Sequence, residues 1–149
     1  MACNKVTLNY YESKMNRDRL EHLITVISKI PKENLSLKHW VSTPGNKIGD
    51  IDQKGLVECG TVCCAVGWAC SDPIFNEQGL VWDYILQQPR YNYDTSWTAA
   101  MEFFDITFPK ALRLFDWESY DENVTPEDII AHIRVELQLD RLSSNPEEQ

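Results

Sequence analysis

The chain has no long hydrophobic run. No stretch approaches the roughly 18 consecutive apolar residues that a membrane-spanning helix needs; the most apolar segment is the short one over 59–70. The opening residues, Met1 to Lys5, lead into polar sequence without the apolar segment of a secretory signal. We therefore expect a cytoplasmic protein that neither crosses nor binds a membrane.

Basic residues are also scarce. Lys and Arg number 14 against 23 Asp and Glu, which leaves a formal net charge of −9 at pH 7. Proteins that hold DNA or RNA through its phosphates need clustered Lys and Arg that release counterions. The composition thus predicts that nucleic acid is not a direct partner. Its 43% hydrophobic and 25% charged residues are typical of an ordinary globular domain.

The familiar catalytic and cofactor motifs are missing. The chain contains no G-x-S-x-G elbow, no Walker-type glycine loop and no dinucleotide-binding fingerprint. Its histidines, His22, His39 and His132, are scattered singly along the sequence. We predict a protein without enzymatic activity and without a bound cofactor.

Five cysteines, an odd number, predict free thiols rather than a disulfide framework in a reducing cytoplasm. A zinc site needs four converging ligands, and the pair Cys59 and Cys63 has no matching Cys or His pair. Free cysteine is among the most buried residue types, so the favoured interpretation is core packing with no metal. Two alternatives stay open: a zinc site, and a reactive thiolate at Cys59. The full set is Cys3, Cys59, Cys63, Cys64 and Cys70.

Hydrophobic periodicity predicts a mainly α-helical fold of about four to five helices. Apolar residues at spacings of three and four indicate helices over about 16–30, 96–104 and 107–115. Residues 61–70 are apolar on nearly every face, which predicts a central Cys/Ala/Gly-rich helix capped by Thr61.

The last predicted helix, over about 126–141, has the clearest start, because Thr125 is a hydroxyl cap followed by a proline at the first helical position. Its predicted inward stripe is Ile129, Ile130, Ile133 and Leu137. The charged and polar residues between them are predicted to face solvent: Arg134, Glu136, Gln138 and Asp140.

The predicted organisation is a single globular domain over 1–142. Turn-forming residues are dense over 42–58, where we expect a small β-hairpin, and 71–94 is expected to be rich in loops. Residues 143–149 have no apolar content and are predicted to be a disordered acidic tail.

The string C-G-T-V-C-C-A-V-G-W-A at 59–69 resembles a motif of small uncharacterised proteins from bacteriophages and bacteria. Residues 99–107, 111–115 and 125–128 are similar to the rest of that pattern, although Asp105 stands where such relatives often carry Gly. The resemblance implies a helical fold and a phage or bacterial source, and no established activity. The motif residues are Cys59, Gly60, Thr61, Cys63, Gly67 and Trp68.

Charge is distributed unevenly along the chain. Residues 1–40 hold seven Lys and Arg against four Asp and Glu, whereas 114–149 hold two against ten. An acidic face with exposed aromatic residues can steer and dock onto a basic protein surface; the alternative is a solvated face that only maintains solubility. The candidate partner-binding residues are Asp116, Trp117, Glu118, Tyr120, Asp121 and Glu122.

These observations predict a non-enzymatic phage accessory protein, of the host-takeover or anti-defence kind. It would bind and inhibit a host protein that has a basic surface. An alternative function is the binding of a small molecule or metal in a pocket between the cysteine-bearing helix and the aromatic segment 82–97.

Overall fold

A computed structural model describes residues 15–37, 40–42, 62–121 and 123–144 of the chain. The helices of this part are α1 Arg17–Ser28, α2 Ala65–Ala69, α3 Pro73–Glu77, α4 Ser96–Phe104, α5 Phe108–Phe115 and α6 Pro126–Ser144. Its strands are β1 Val41–Ser42, β2 Val62–Cys63, β3 Leu80–Asp83, β4 Gln88–Tyr91 and β5 Asp94–Thr95, and short 3₁₀ turns lie at Lys32–Asn34 and Trp117–Ser119. The fold is mainly α, as predicted, with a small antiparallel sheet.

The first predicted helix is confirmed. The Asn16 side chain caps α1 by accepting a hydrogen bond from the backbone N–H of Arg19 at 3.1 Å, which satisfies one of the unpaired N–H groups of the first turn. The residues that carried the periodicity are in the core: Leu20, Leu23 and Ile27 are buried.

Four buried phenylalanines form the centre of the core. Phe75 of α3 meets Phe103 of α4 edge to face, with ring centroids 5.0 Å apart. Phe104 contacts Phe115 of α5 at 5.8 Å. Such aromatic pairs add to the free energy of burial through their offset and T-shaped geometry. The predicted helix pair α4 and α5 is therefore joined through its aromatic side chains.

The turn between α4 and α5 depends on Asp105. This residue has φ 51° and ψ 53°, in the left-handed region that favours glycine. Asp tolerates that conformation better than most residues, so the chain can turn here without a Gly.

The cysteine segment differs from its prediction. Helix α2 begins at Ala65 with Cys64 as its N-cap, so the predicted cap at Thr61 is wrong. The preceding residues are extended: β2 pairs antiparallel with β1, with Cys63 opposite Val41. Pairing with a strand distant in sequence overrides the apolar pattern that predicted a longer helix. Residues 43–58 of the predicted hairpin lie outside the described residues, but β1 and β2 bring the flanking chain together.

The segment 71–94 contains more regular structure than predicted. Asp72 caps α3 by accepting a hydrogen bond from the N–H of Phe75 at 3.0 Å, and Pro73 occupies the first helical position, where its missing N–H costs nothing. Strands β3, β4 and β5 then form an antiparallel sheet. The described residues thus contain six helices, one more than the predicted upper number.

Helix α6 has the predicted start. Its capping is reciprocal: the N–H of Asp128 donates to Thr125 Oγ1 at 3.2 Å, and the N–H of Thr125 donates to Asp128 Oδ2 at 2.9 Å. The helix runs on to Ser144 rather than ending near residue 141. It therefore includes Ser143 and Ser144, which the prediction assigned to the tail; residues 145–149 lie outside the described part.

Two charged residues of α6 are buried, and their assignment to solvent is wrong. Glu136 is 5% and Asp140 4% exposed. Arg17 of α1 pairs with Asp140 at 3.2 Å and also donates to the carbonyl of Leu137 at 2.9 Å. Arg113 of α5 donates from Nε to Glu136 Oε1 at 2.8 Å. Buried charge is tolerated where it is paired in this way.

Among the helices that the structure describes, none combines the length and the apolar character needed to span a bilayer.

We predict that Gly67→Ala destabilises the protein strongly. A Cβ at this buried position would lie 2.0 Å from the carbonyl oxygen of Trp40, so the backbone around both residues would have to move. Overpacking of this kind costs about 3 kcal/mol. Urea unfolding at neutral pH measures the loss.

The control for this change is Thr98→Ala at an exposed position of α4, which should alter the free energy of unfolding by less than about 0.5 kcal/mol. Equal unfolding midpoints for Gly67→Ala and wild type would contradict the close approach of Gly67 to Trp40.

Candidate binding groove

The predicted acidic segment is held against the end of α5 by two side chains. Ser119 Oγ donates to the carbonyl of Leu112 at 2.7 Å, and the Tyr120 hydroxyl donates to the carbonyl of Leu114 at 2.7 Å. The last carbonyls of a helix lack partners within the helix. The segment therefore supplies hydrogen-bond donors to two carbonyl groups near the end of α5, and these bonds hold it beside α6.

This position creates two adjoining clefts along α6, which together we name the α5–α6 groove. Each cleft has a volume of about 440 Å³, and the two share Ser119 and His132. The acidic half is lined by Glu118, Ser119, Tyr120, Asp121, Asp128, Ala131 and His132. The apolar half is lined by Arg113, Leu114, Ser119, His132, Val135 and Glu136.

The structure brings three of the predicted binding residues into this groove. Glu118, Tyr120 and Asp121 line the acidic half, together with Asp128 and His132 from α6. Asp116 and Trp117 do not line it, although Trp117 is 47% exposed beside it in the sequence. Glu122 lies outside the described residues.

The rim of the groove carries uncompensated negative charge. Glu118 and Asp121 are exposed and form no ion pair with another described residue. Asp128 takes part in the capping of α6. The acidic half is therefore open to a cationic group from outside.

A stacked pair of rings lines the acidic half. The rings of Tyr120 and His132 lie 4.3 Å apart between centroids with an interplanar angle of 28°. His132 Nδ1 is 3.3 Å from the carbonyl oxygen of Arg113. Burial, and secondarily the charge of Asp128, raises the pKa of the Tyr120 hydroxyl well above its ordinary value, so it stays a hydrogen-bond donor at neutral pH.

Glu136 is the unusual residue of the apolar half. Its Oε1 accepts the hydrogen bond from Arg113, whereas its buried Oε2 has no hydrogen-bond partner among the described residues. The Arg113 side chain is 54% exposed, so the ion pair has one partner in contact with solvent and one partner, Glu136, that is buried. Among the described residues, Arg113 is therefore the donor that the Glu136 carboxyl group meets.

Sequence reasoning missed the contributions of α5 and α6 to this groove. Residues Ile129, Ile133, Glu136 and Asp140 follow the spacing of four, three and four that defines one helix face. That spacing places Glu136 on the core side of α6. The charge of its side chain argues for solvent instead, so the two signals conflict at this residue.

The described cysteines lie in the interior of the protein. Cys63, Cys64 and Cys70 are free thiols and buried. Burial raises the pKa of Cys64 to about 11 and also raises the pKa of Cys63 and Cys70. The described residues contain no group of three or more His, Cys, Asp or Glu able to hold a metal ion. Cys59, Gly60 and Thr61 lie outside those residues.

The remaining motif residues also have packing roles. Gly67 is buried against Trp40, and the indole N–H of Trp68 donates to the carbonyl of Asn34 at 2.9 Å. The alternative of a small-molecule pocket beside residues 82–97 stays a prediction.

A second cluster of polar side chains lies where α1 meets α3. His22 Nε2 is 2.8 Å from Asp72 Oδ2, beside a cleft of about 280 Å³. Asp72 also caps α3, and Arg19 is used in hydrogen bonds to Gln78 and to the carbonyl of Phe103. These side chains are occupied in joining α1 to its neighbours, so the α5–α6 groove is the stronger candidate site.

No family model matches this chain, and no match was found among curated proteins or among solved structures. Its function is therefore argued from its own residues.

We predict that the buried thiols resist alkylation in the folded protein. The thiolate is the reactive form, and a pKa of about 11 for Cys64 lowers its thiolate fraction at pH 8 by about a hundredfold. Mass spectrometry of a timed iodoacetamide reaction should show slow labelling of Cys63, Cys64 and Cys70.

The same reaction in urea is the control, because all thiols are then accessible. Native labelling of these three cysteines at the rate seen in urea would contradict their burial. Fast native labelling of Cys59 would instead support the alternative of a reactive thiolate at that position.

We predict that Tyr120→Phe lowers the free energy of unfolding by about 1 kcal/mol, because the carbonyl of Leu114 loses its donor. Wild type should also lose stability as the pH rises above about 10, since Tyr120 ionises in the unfolded chain before it does in the folded one. That alkaline loss should be smaller in Tyr120→Phe. Urea unfolding between pH 7 and pH 11 measures both effects.

Tyr93→Phe is the matched control, because Tyr93 is 96% exposed. It should have the stability of wild type at pH 7. Equal effects of the two substitutions would contradict the role given to the Tyr120 hydroxyl.

Proposed function

We propose that the chain is a non-enzymatic binding protein that docks a basic protein segment in the α5–α6 groove. The observation that carries this proposal is the convergence of three carboxylates on one cleft: Glu118, Asp121 and Asp128. Two of them have no ion-pair partner among the described residues.

Electrostatics favour a cationic partner in two ways. The net charge of −9 attracts basic proteins over distances near the Debye length. At short range, Glu118 and Asp121 lie where a lysine or arginine can pair with them without first breaking an ion pair to a described residue. Complementary charge of this kind speeds encounter and fixes the register of the complex.

Apolar side chains beside the groove supply contact area. Val135 is 57% and Leu139 51% exposed, one turn apart on α6, and Trp117 is 47% exposed. Large exposed aromatic and aliphatic residues next to unpaired charge are typical of protein interfaces. An acidic face that only maintained solubility would not need exposed apolar side chains. Their presence therefore favours docking as the role of this face.

In this proposal the cysteine-bearing segment is the internal scaffold at the centre of the fold. Its thiols serve packing, and the activity of the protein lies on its acidic exterior. Inhibition then means that the chain occupies a basic surface that the partner needs for its own ligand.

The resemblance of residues 59–69 extends the proposal to the biological setting. The resemblance implies a phage or bacterial source and no established activity. Together with the acidic groove and the missing catalytic motifs, it supports the proposal of a phage accessory protein whose target is a host protein in the bacterial cytoplasm.

We predict that the double substitution E118K/D121K abolishes partner binding, because it replaces the two open carboxylates with ammonium groups. The matched control is E77K/E102K, which changes two exposed carboxylates elsewhere and alters the net charge by the same amount. Affinity purification from bacterial lysate, with quantitative mass spectrometry, compares the proteins recovered by wild type and both variants.

A genuine partner should be retained by wild type and by E77K/E102K and be lost from E118K/D121K. Recovery of the same proteins by all three would mean that the acidic half of the groove is not the binding site.

A further inference from the structure

A row of side chains along α6 continues the groove beyond its acidic half. Asp128, Ala131, Val135 and Leu139 follow one another at spacings of three and four, so they share one face of the helix. All four are exposed, Val135 by 57% and Leu139 by 51%. At 1.5 Å per residue the row is about 16 Å long, or about three helical turns. We name these four residues the α6 row.

Charge is segregated along the α6 row. Its first member, Asp128, lines the acidic half of the groove together with Glu118 and Asp121. The three members that follow Asp128 are apolar and carry no charge. A ligand that complements the row therefore carries positive charge at one end and apolar side chains over the rest of its length.

The α6 row offers side chains to a ligand but no backbone groups. The N–H and C=O groups in the middle of an α-helix bond to each other along the helix, so α6 cannot accept an added strand in the way that a sheet edge does. A peptide that covers the row has to satisfy its own buried backbone groups, because unpaired ones are costly. An α-helix satisfies these groups internally, whereas an extended segment does not.

An amphipathic helix also matches the spacing of the α6 row. Its apolar residues recur every three or four positions along one face, and packed helices interleave such rows of side chains. Because every member of the α6 row is exposed, a ligand helix can contact the row without any rearrangement of the core.

We propose that the basic segment docked in the α5–α6 groove is an amphipathic helix that packs along the α6 row. Its apolar residues contact Ala131, Val135 and Leu139, and lysine and arginine residues at one of its ends pair with Glu118 and Asp121. This inference rests on the proposed function and adds to it the conformation and the residue pattern of the partner segment.

Two fluorescein-labelled peptides of equal charge test the inference. The peptide ALQQLLQALQAKRAKK has its leucines on one helix face and its basic residues in the last turns, where they also stabilise the helix. The peptide ALQQLLPALQAKRAKK has proline on the opposite face and cannot form a continuous helix. Fluorescence anisotropy at low salt should show about tenfold tighter binding of the helical peptide to wild type.

Circular dichroism gives a second readout of the same complex. In the far ultraviolet, the mixture of wild type and the helical peptide should show more helix than the sum of the separate spectra, because a short peptide is only marginally helical in water before it binds. The mixture with the proline peptide should equal the sum.

Variants of the α6 row separate apolar contact from charge. V135Q/L139Q leaves the net charge unchanged and should weaken binding of the helical peptide about tenfold, because two apolar contacts are lost. The matched control is I74Q/I85Q, which makes the same kind of change at two aliphatic residues outside the row that are 49% and 92% exposed. It should bind the helical peptide within about twofold of wild type.

The outcomes separate this inference from the proposed function. Equal affinities of wild type for the two peptides, with weaker binding of both to E118K/D121K, would overturn only the helical partner. Wild-type affinity of V135Q/L139Q for the helical peptide would do the same. Failure of both peptides to bind wild type, or equal binding to wild type and E118K/D121K, would overturn the proposed function itself.

Sedimentation velocity of the protein alone tests a second copy as the occupant of the α6 row. We expect wild type to be a monomer, which leaves the row open to the partner helix. A wild-type dimer that V135Q/L139Q converts to a monomer would mean that a second copy covers the row, and it would overturn the inference.

Discussion

The ion pair between Arg113 and Glu136 is the interaction on which the groove depends. It joins α5 to α6 through a carboxylate that is almost completely buried, and removing one partner of such a pair leaves an uncompensated charge inside the protein. The acidic segment then follows α5, because Ser119 and Tyr120 hydrogen-bond to its last carbonyls. One electrostatic contact and two hydrogen bonds thus bring together residues that are far apart in sequence.

The long elements could be predicted because their local signals agree. Helices α1, α5 and α6 combine apolar periodicity with a side-chain cap at the N-terminal end, and α4 has the periodicity without a side-chain cap. Each of the four begins within a residue or two of its predicted start. The short elements could not be predicted in the same way. The pairing of β1 with β2 joins residues about twenty positions apart, and α3 has a single turn of periodicity, which is too little to separate a helix from a loop.

The lining of the candidate groove could be predicted only in part, for a related reason. Acidic and aromatic residues cluster within one segment, so Glu118, Tyr120 and Asp121 were visible in the sequence. Asp128, His132 and Glu136 face that segment only after α6 packs against α5. Glu136 shows most clearly what the sequence alone cannot predict. Its position in the apolar repeat places it in the core, whereas its charge argues for solvent. The position of Arg113, which is known only from the structure, decides between the two.

The short ladder of β1 and β2 has a consequence for variation among related chains. By pairing Ser42 with Val62, it fixes the point where the chain leaves this part of the core and the point where it returns. Cys63, Cys64, Ala65, Val66 and Ala69 follow directly and are buried. An insertion or deletion among them would shift buried side chains out of their places, so the length of the chain is closely constrained in the segment that follows the ladder.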